Sequence, residues 1–118
     1  MGGHTLSRHV GRTDDDLADR LRRESHISAA STYTDRATAE QAVGAALASA
    51  GRRLDTWQNR EGRRPNLVLR YTSQAAPIGR SLSRGDRVPV SCRHALVVLR
   101  WDERASRFYV LTSYPEAE

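Results

Sequence analysis

The chain has 118 residues, the size of one ordinary domain, and its 38% hydrophobic content is sufficient for a single core. A mean hydropathy of −0.65 argues against a membrane protein, and no apolar run approaches the roughly 18 residues that a membrane span requires. The first residues lack the apolar stretch of a secretory signal, and the abrupt start suggests a module cut from a longer protein. We therefore expect residues 1–118 to form one domain without a membrane segment.

The net charge of +5 is unevenly distributed, and apart from histidine every basic residue is an arginine. Residues 1–59 carry eight arginines and eight acidic residues, whereas residues 60–118 carry eleven arginines and six acidic residues. Because guanidinium groups bind phosphate through a planar fork, the basic second half predicts a polyanionic partner. Nucleic acid is the first choice, and an acidic protein is the second.

The N-terminal region predicts two helices. His4 to Val10 is expected to form a short helix that Gly11 ends. Thr13 is a suitable N-cap, because three aspartates follow it in the first turn, where the helix dipole favours negative charge. This second helix should run to about Glu24.

A short extended segment and a longer helix follow. Ala30–Tyr33 is expected to be extended, and Thr34–Asp35 is the N-cap signal of an alanine-rich helix that Gly51 closes. Leu54 and Trp57 indicate one or two further helical turns. We interpret both tryptophans of the chain as core residues.

The second half predicts antiparallel strands separated by turns. The expected extended segments are 66–72, 78–82, 88–91, 95–101 and 108–113. The continuous apolar run at 95–101 predicts a central strand, and Pro115 is expected to end the last strand. Helices followed by strands indicate an α+β domain, with N-terminal helices packed on a C-terminal antiparallel sheet.

The cysteine and the spacing of the histidines predict neither a disulfide nor a metal site. Cys92 is the single cysteine, so no internal disulfide can form, and we interpret it as a small, partly buried residue. The histidines are His4, His9, His26 and His94. None has a partner at the spacing of a zinc site, so we expect no metal and no other cofactor.

His9 stands just before the helix that carries Arg20, and this combination suits RNA cleavage. A histidine that titrates near neutrality can take the 2′-hydroxyl proton, and an arginine can clamp the charged phosphoryl oxygens. The leaving 5′-oxygen needs a proton from a second histidine or a tyrosine. Thr112 and Tyr114 alternate along the last strand and therefore share a face.

Motifs in a defined order run through nearly the whole chain. They are GHTLSRHVG at 3–11, Leu17 with Arg20–Leu21, ASTYTD at 30–35, Ala39–Glu40, GRSL at 79–82, Arg84–Gly85 and FYVLTSYP at 108–115. This set resembles the bacterial ribonuclease A-like toxin domain found at the C-terminal tips of contact-dependent inhibition proteins and related polymorphic toxins. The resemblance implies an endoribonuclease with a kidney-shaped α+β fold like that of ribonuclease A, without its disulfides.

The resemblance also implies a biological setting. Toxins of this kind are secreted or delivered effectors that act on RNA, often tRNA, in the cytoplasm of a target cell. A dedicated immunity protein normally blocks the site. We expect the domain to act as a monomer, with RNA and the immunity protein as its partners.

The catalytic set that the resemblance implies is a histidine, an arginine, a threonine and a tyrosine. In this chain these are His9, Arg20, Thr112 and Tyr114. The residues expected to bind the substrate are His4, Arg80 and Arg84. His4 is also the competing choice for the catalytic histidine.

The expected reaction is a metal-independent transphosphorylation that yields a 2′,3′-cyclic phosphate. His9 takes the 2′-hydroxyl proton, Arg20 stabilises the pentavalent phosphorane, and Thr112 holds a phosphoryl oxygen. Tyr114 orients the phosphate or donates a proton to the leaving group. Ribonuclease A has a catalytic histidine on its last strand and a catalytic lysine, and this chain has neither. The general acid is therefore open between Tyr114 and a shared role for His9.

Two other hypotheses explain part of the sequence. A non-catalytic basic module would bind nucleic acid or an acidic protein in a salt-sensitive way, without cleavage. It gives no reason for the two terminal motifs. A metal-dependent nuclease built on the histidines would lose its activity in EDTA.

Overall fold

The computed structural model describes residues 9–117, and their elements follow the predicted order closely. They are α1 (Asp14–Arg23), β1 (Ala29–Tyr33), α2 (Arg36–Ala50), α3 (Arg52–Gln58), β2 (Leu67–Thr72), β3 (Gly79–Ser83), β4 (Val90–Cys92), β5 (His94–Asp102) and β6 (Arg107–Glu116). The α+β class is confirmed. None of the helices in this part of the chain has the length and apolar character to cross a membrane.

The strands form two antiparallel sheets of three strands each, in the orders β1-β3-β4 and β2-β5-β6. The apolar run predicted as a central strand is β5, which lies between β2 and β6. The single antiparallel sheet predicted from the sequence is thus divided into two, and the predicted extended segment at Ala30–Tyr33 joins the first of them as β1, paired with β3. This pairing joins a strand from the N-terminal half of the chain to strands from the C-terminal half.

Side-chain caps begin the two longer helices where the sequence predicts them. The Thr13 hydroxyl accepts from the Asp16 amide at 3.1 Å, and the Asp16 carboxylate accepts from the Thr13 amide at 3.0 Å, which completes a capping box. These hydrogen bonds lower the pKa of Asp16. At α2 the Asp35 carboxylate accepts from the Thr38 amide at 2.7 Å. Both helix starts are thus confirmed.

The buried side chains form two separate clusters. The main core lies between α2, α3 and the second sheet and includes Trp57, while Trp101 packs against it from a partly exposed position. The small core lies between α1 and the first sheet. Its buried members are Leu17, Leu21, Ala30 and Leu82. Helix α1 and strand β6 therefore pack on different cores.

Cys92 lies in the first sheet and is buried, as the sequence suggested. Burial raises the pKa of its thiol, and the Glu116 carboxylate adds to the effect. A thiol held in its neutral form is a poor nucleophile, which fits a packing role.

The segment before α1 is extended at the end that the structure describes. Val10 forms a parallel bridge with Tyr33, so the predicted helix over 4–10 is wrong at this end, and its residues 4–8 lie outside the described part of the chain. The Tyr33 amide donates to the His9 carbonyl at 2.6 Å, and the Gly11 amide donates to the Tyr33 carbonyl at 3.0 Å. Gly11 has φ +63°, a conformation that glycine adopts without strain. Pairing with β1 competes successfully with a local helix here.

β6 continues three residues beyond the predicted end at 113, and Pro115 lies within it, opposite Ala95. The expectation that Pro115 ends this strand is wrong. β6 is an edge strand, so the missing proline N–H costs no ladder hydrogen bond when it faces away from β5. The extra length carries the strand end over the first sheet.

Candidate active site

A cavity of about 540 Å³ lies between α1, the first sheet and the end of β6. Its lining includes all four residues of the predicted catalytic set. These are His9, Arg20, Thr112 and Tyr114. The volume falls within the roughly 300–1,000 Å³ of typical ligand sites. The fold thus brings side chains from the two ends of the chain to one place.

His9 is held by its main chain against β1 and by its ring against two partners. Its side chain is buried, with 5% of the residue exposed. The Nδ1 atom lies 3.4 Å from Nη1 of Arg20, and the ring lies 5.6 Å from that of Tyr114, centre to centre. A guanidinium only donates hydrogen bonds, so neutral His9 presents an unprotonated Nδ1 to Arg20.

Arg20 is fixed at the end of α1 by an ion pair. Its Nε donates to Oε2 of Glu24 at 2.9 Å, and both side chains are about three-quarters buried. The Glu24 amide also donates to the Arg20 carbonyl at 2.9 Å. With its Nε side occupied by Glu24, the guanidinium directs Nη1 towards His9 and the cavity.

A β-bulge in β6 decides which of its side chains reach the cavity. Thr112 lies opposite Val98, whereas the next β5 residue, Leu99, lies opposite Val110. Leu111 is therefore an extra residue in the strand, as in a β-bulge. Val110 packs against the main core, while Thr112 lines the cavity. In a regular strand these two residues would share a face.

Beyond the bulge the strand alternates regularly. Thr112, Tyr114 and Glu116 line the cavity, as the sequence predicts for the first two. Ser113 faces the interior, where its hydroxyl lies 2.6 Å from that of Tyr33. This buried contact ties β6 to β1 and so fixes Tyr114 relative to His9.

Tyr114 has the environment of a neutral hydrogen-bond donor. Burial raises the pKa of its phenol, and Glu116 adds to the effect, while Arg70 and Arg20 oppose it. The phenol keeps its proton throughout the neutral range. It is therefore suited to donating a hydrogen bond to a phosphoryl oxygen and is a weaker acid than an ordinary tyrosine.

Comparison with known proteins shows the family of the chain. The family model for the bacterial CdiA-CT RNase A domain matches residues 3–115. The chain belongs to this family. It is also similar to a solved structure, the crystal structure of a CdiA-CT/CdiI complex from Y. kristensenii 33638, with 30% sequence identity and a TM-score of 0.84 over 98% of this chain and 100% of that chain. No significant match was found among curated proteins.

The chain is thus a ribonuclease toxin domain of contact-dependent inhibition, as the motifs suggested. Its α+β fold is of the ribonuclease A-like kind and contains one cysteine, so it has no disulfide of its own. Hydrogen-bonded sheets and the two cores replace covalent cross-links as the source of stability.

Three serines that the first sheet contributes to the cavity wall were not singled out from the sequence. Ser31 lies opposite Ser81, and Ala29 lies opposite Ser83, so all four residues face the same side of the first sheet. All four line the cavity. The alternation of small polar residues along these two strands was the sequence signal that could have predicted a polar face on the sheet. The wall offers hydroxyl groups to a polar ligand such as a nucleotide.

His26 is a second histidine of the cavity that sequence reasoning set aside. It lies in the exposed turn between α1 and β1. No motif or spacing links it to His9, and only the fold brings the two histidines to one cavity.

The two arginines predicted to bind the substrate lie outside the cavity lining. Arg80 donates to the Arg12 carbonyl at 2.7 Å and pairs with Asp14 at 3.0 Å, while Arg84 binds main-chain carbonyls after α1. Neither arginine lines the cavity, and His4 lies outside the described residues. Their contact with the substrate stays a prediction.

Within residues 9–117, no group of three or more His, Cys, Asp or Glu side chains is placed to hold a metal ion. The titratable groups of the cavity lie instead among arginine and hydroxyl donors. Such an environment suits the binding and charge stabilisation of a phosphate.

Proposed function

We propose that this domain is a metal-independent endoribonuclease that cleaves RNA, with tRNA as the first substrate class, by attack of a 2′-hydroxyl on the adjacent phosphate. The observation that carries the proposal is the convergence of His9, Arg20, Thr112 and Tyr114 on one cavity from opposite ends of the chain. Histidine and arginine supply the proton transfer and the charge that this reaction needs.

The roles follow from the chemistry of each group. His9 accepts the 2′-hydroxyl proton as the oxygen attacks phosphorus. Arg20 binds the phosphoryl oxygens and stabilises the charge of the pentavalent phosphorane, aided by the Thr112 hydroxyl or amide. Tyr114 donates a hydrogen bond from its neutral phenol and so orients the phosphate. The P–O5′ bond then breaks, and the products carry a 2′,3′-cyclic phosphate and a 5′-hydroxyl.

The setting of the reaction is part of the proposal. Residues 1–118 act as one monomeric domain, the C-terminal effector of a larger toxin that is delivered into the cytoplasm of a target cell. An immunity protein covers the cavity in the producing cell. The net charge of +5 and the similarity to a CdiA-CT/CdiI complex support RNA and an immunity protein as partners.

The test is incubation of the purified protein with total tRNA in EDTA, followed by chemical mapping of the cut ends. We expect cyclic phosphate ends, and we expect His9→Ala to remove the activity. His94→Ala is the matched control, because His94 lies on β5 outside the cavity lining and bonds to Thr72. Salt-sensitive binding of tRNA without cleavage would favour a non-catalytic basic module, and loss of cleavage in EDTA would favour a metal-dependent nuclease. Undiminished cleavage by His9→Ala would reject the assigned base.

A further inference from the structure

The proposed reaction needs a proton for the leaving 5′-oxygen, and the cavity limits which group can supply it. The titratable side chains in its described lining are His9, Arg20, His26, Tyr114 and Glu116. His9 is occupied with the proton of the 2′-hydroxyl at the start of the reaction. An arginine does not release its proton in a protein, and an ionised glutamate is only an acceptor.

Tyr114 is poorly suited to the same task. Burial raises the pKa of its phenol, with Glu116 adding to the effect, so its proton is held more tightly than usual. Histidine is the side chain whose ordinary pKa lies close to neutrality, where an acid and its conjugate base are both accessible. Among the groups of this cavity, His26 is the remaining histidine.

The turn that carries His26 is held from outside by one arginine. Nη2 of Arg84 donates to the Glu24 carbonyl at 2.8 Å and to the Ile27 carbonyl at 2.9 Å, and its Nε donates to Ile27 again at 3.1 Å. The Arg84 amide also donates to the Ser28 carbonyl at 2.8 Å. The main chain is therefore bound on both sides of His26.

Packing holds the same turn from below. The Ile27 side chain packs against the small core under α1, and its amide donates to the Glu24 carbonyl at 3.3 Å. Glu24 in turn holds Arg20 through their 2.9 Å contact. The exposed residue His26 therefore belongs to a turn whose main chain has a defined position relative to Arg20.

We propose that His26 is the general acid of the reaction and that Arg84 is the residue that positions it. The assignment rests on the ribonuclease function proposed above. As the 2′-oxygen bonds to phosphorus and His9 takes its proton, the P–O5′ bond breaks and its electron pair stays on the 5′-oxygen. Protonated His26 gives its proton to that oxygen and is left neutral. Exchange with water returns both histidines to their starting states.

The decisive experiment changes the leaving group rather than the enzyme alone. Two RNA substrates are compared at the mapped cleavage site, one natural and one with sulfur in place of the bridging 5′-oxygen. A thiolate leaves without being protonated, so the sulfur substrate does not need a general acid. We expect His26→Gln to cleave the natural RNA about 10²–10⁴-fold more slowly than the wild type. On the sulfur substrate it should recover close to the wild-type rate.

Two further variants interpret the result. His9→Gln should be slow on both substrates, because the 2′-hydroxyl needs its base in either case, and His94→Gln should match the wild type on both. An unaffected His26→Gln protein, or one equally slow on both substrates, would overturn the assignment. A wild-type protein that cleaves neither substrate in EDTA would instead overturn the proposed function, and the assignment would fall with it.

Arg84→Gln tests the positioning role. We expect it to show a smaller defect than His26→Gln on the natural RNA and the same recovery on the sulfur substrate. Arg87→Gln, an exposed arginine of the same loop, is the matched control and should resemble the wild type. If Arg84 bound the substrate directly, its loss would raise the KM for both substrates equally, and that result would refute the positioning role.

Discussion

Gly79 offers the sharpest test of how the end of β6 is seated on the first sheet. A Cβ at this position would overlap the carbonyl oxygen of Thr32 and lie 2.6 Å from Cγ of Pro115. Neither obstacle is the mobile tip of a side chain, since one is the main chain of β1 and the other a proline ring. Gly79→Ala must therefore push β3 away from β1 or displace the residue that follows Tyr114.

The expected cost of Gly79→Ala combines two opposing effects. Overpacking costs about 1–3 kcal/mol, and two rigid obstacles place this site near the upper end. The lower entropy of the unfolded alanine chain returns about 0.4–1 kcal/mol. We expect a net loss of about 2 kcal/mol in the free energy of unfolding, or a fall in Tm on the order of 10 °C. Cleavage of tRNA should also fall under conditions where the variant is folded.

Urea unfolding followed by circular dichroism measures the change, with Gly44→Ala as the control. Gly44 lies in α2 with open space around its missing Cβ, so alanine should raise stability there by about 0.5–1 kcal/mol. The same chemical change is thus expected to have opposite signs at the two sites. Equal stability of Gly79→Ala and the wild type would refute the argument for the close contact.

Three further predictions concern other contacts. Tyr33→Phe should cost about 1–3 kcal/mol by leaving the buried Ser113 hydroxyl without its partner, and a double-mutant cycle with Ser113→Ala should show coupling rather than additivity. Burial raises the pKa of Tyr33 in the folded protein. The stability that this neutral phenol contributes is therefore complete below the ordinary tyrosine pKa and is lost as pH rises through the folded pKa. Stability should accordingly fall less at alkaline pH in Tyr33→Phe than in the wild type. Thr13→Ala should cost about 1 kcal/mol at neutral pH. The main cause of the lowered Asp16 pKa is the Thr13 amide, which alanine retains, and the lost bond to the Asp16 amide does not depend on ionisation; most of the gap in stability should therefore persist as pH falls, and its disappearance would contradict this. Arg20→Lys should reduce tRNA cleavage about 10²–10³-fold through loss of the planar fork, and an unchanged rate would argue against a phosphate clamp.

The features that could be predicted from the sequence are those decided within a few residues. The caps at Thr13 and Asp35 use side chains that bond three positions ahead, so they mark helix starts directly. The apolar run at 95–101 identifies the centre of the second sheet for a similar reason, because a strand covered on both sides needs apolar residues at every position. The same-face placement of Thr112 and Tyr114 followed from the period of a strand.

The errors arose where distant parts of the chain decide the outcome. Val10 bridges to Tyr33 instead of continuing a helix, and Pro115 is accommodated because no strand lies beyond β6 in its sheet. The bulge at Leu111 has no composition that distinguishes it from regular strand. Arg84 binds carbonyls 57 and 60 positions away, a contact that no local pattern announces. The position of His26 in the cavity could not be predicted either, because it also depends on contacts between distant parts of the chain.

The bond between Tyr33 and Ser113 spans 80 residues, and this separation governs when the site comes into being. Closing a loop of that length costs about 4 kcal/mol in chain entropy before any contact is gained. His9 therefore has no Tyr114 beside it until β6 has been synthesised and has docked. A chain still on the ribosome carries His9 and Arg20 without Thr112 and Tyr114, and the four residues can meet only after β6 has been released.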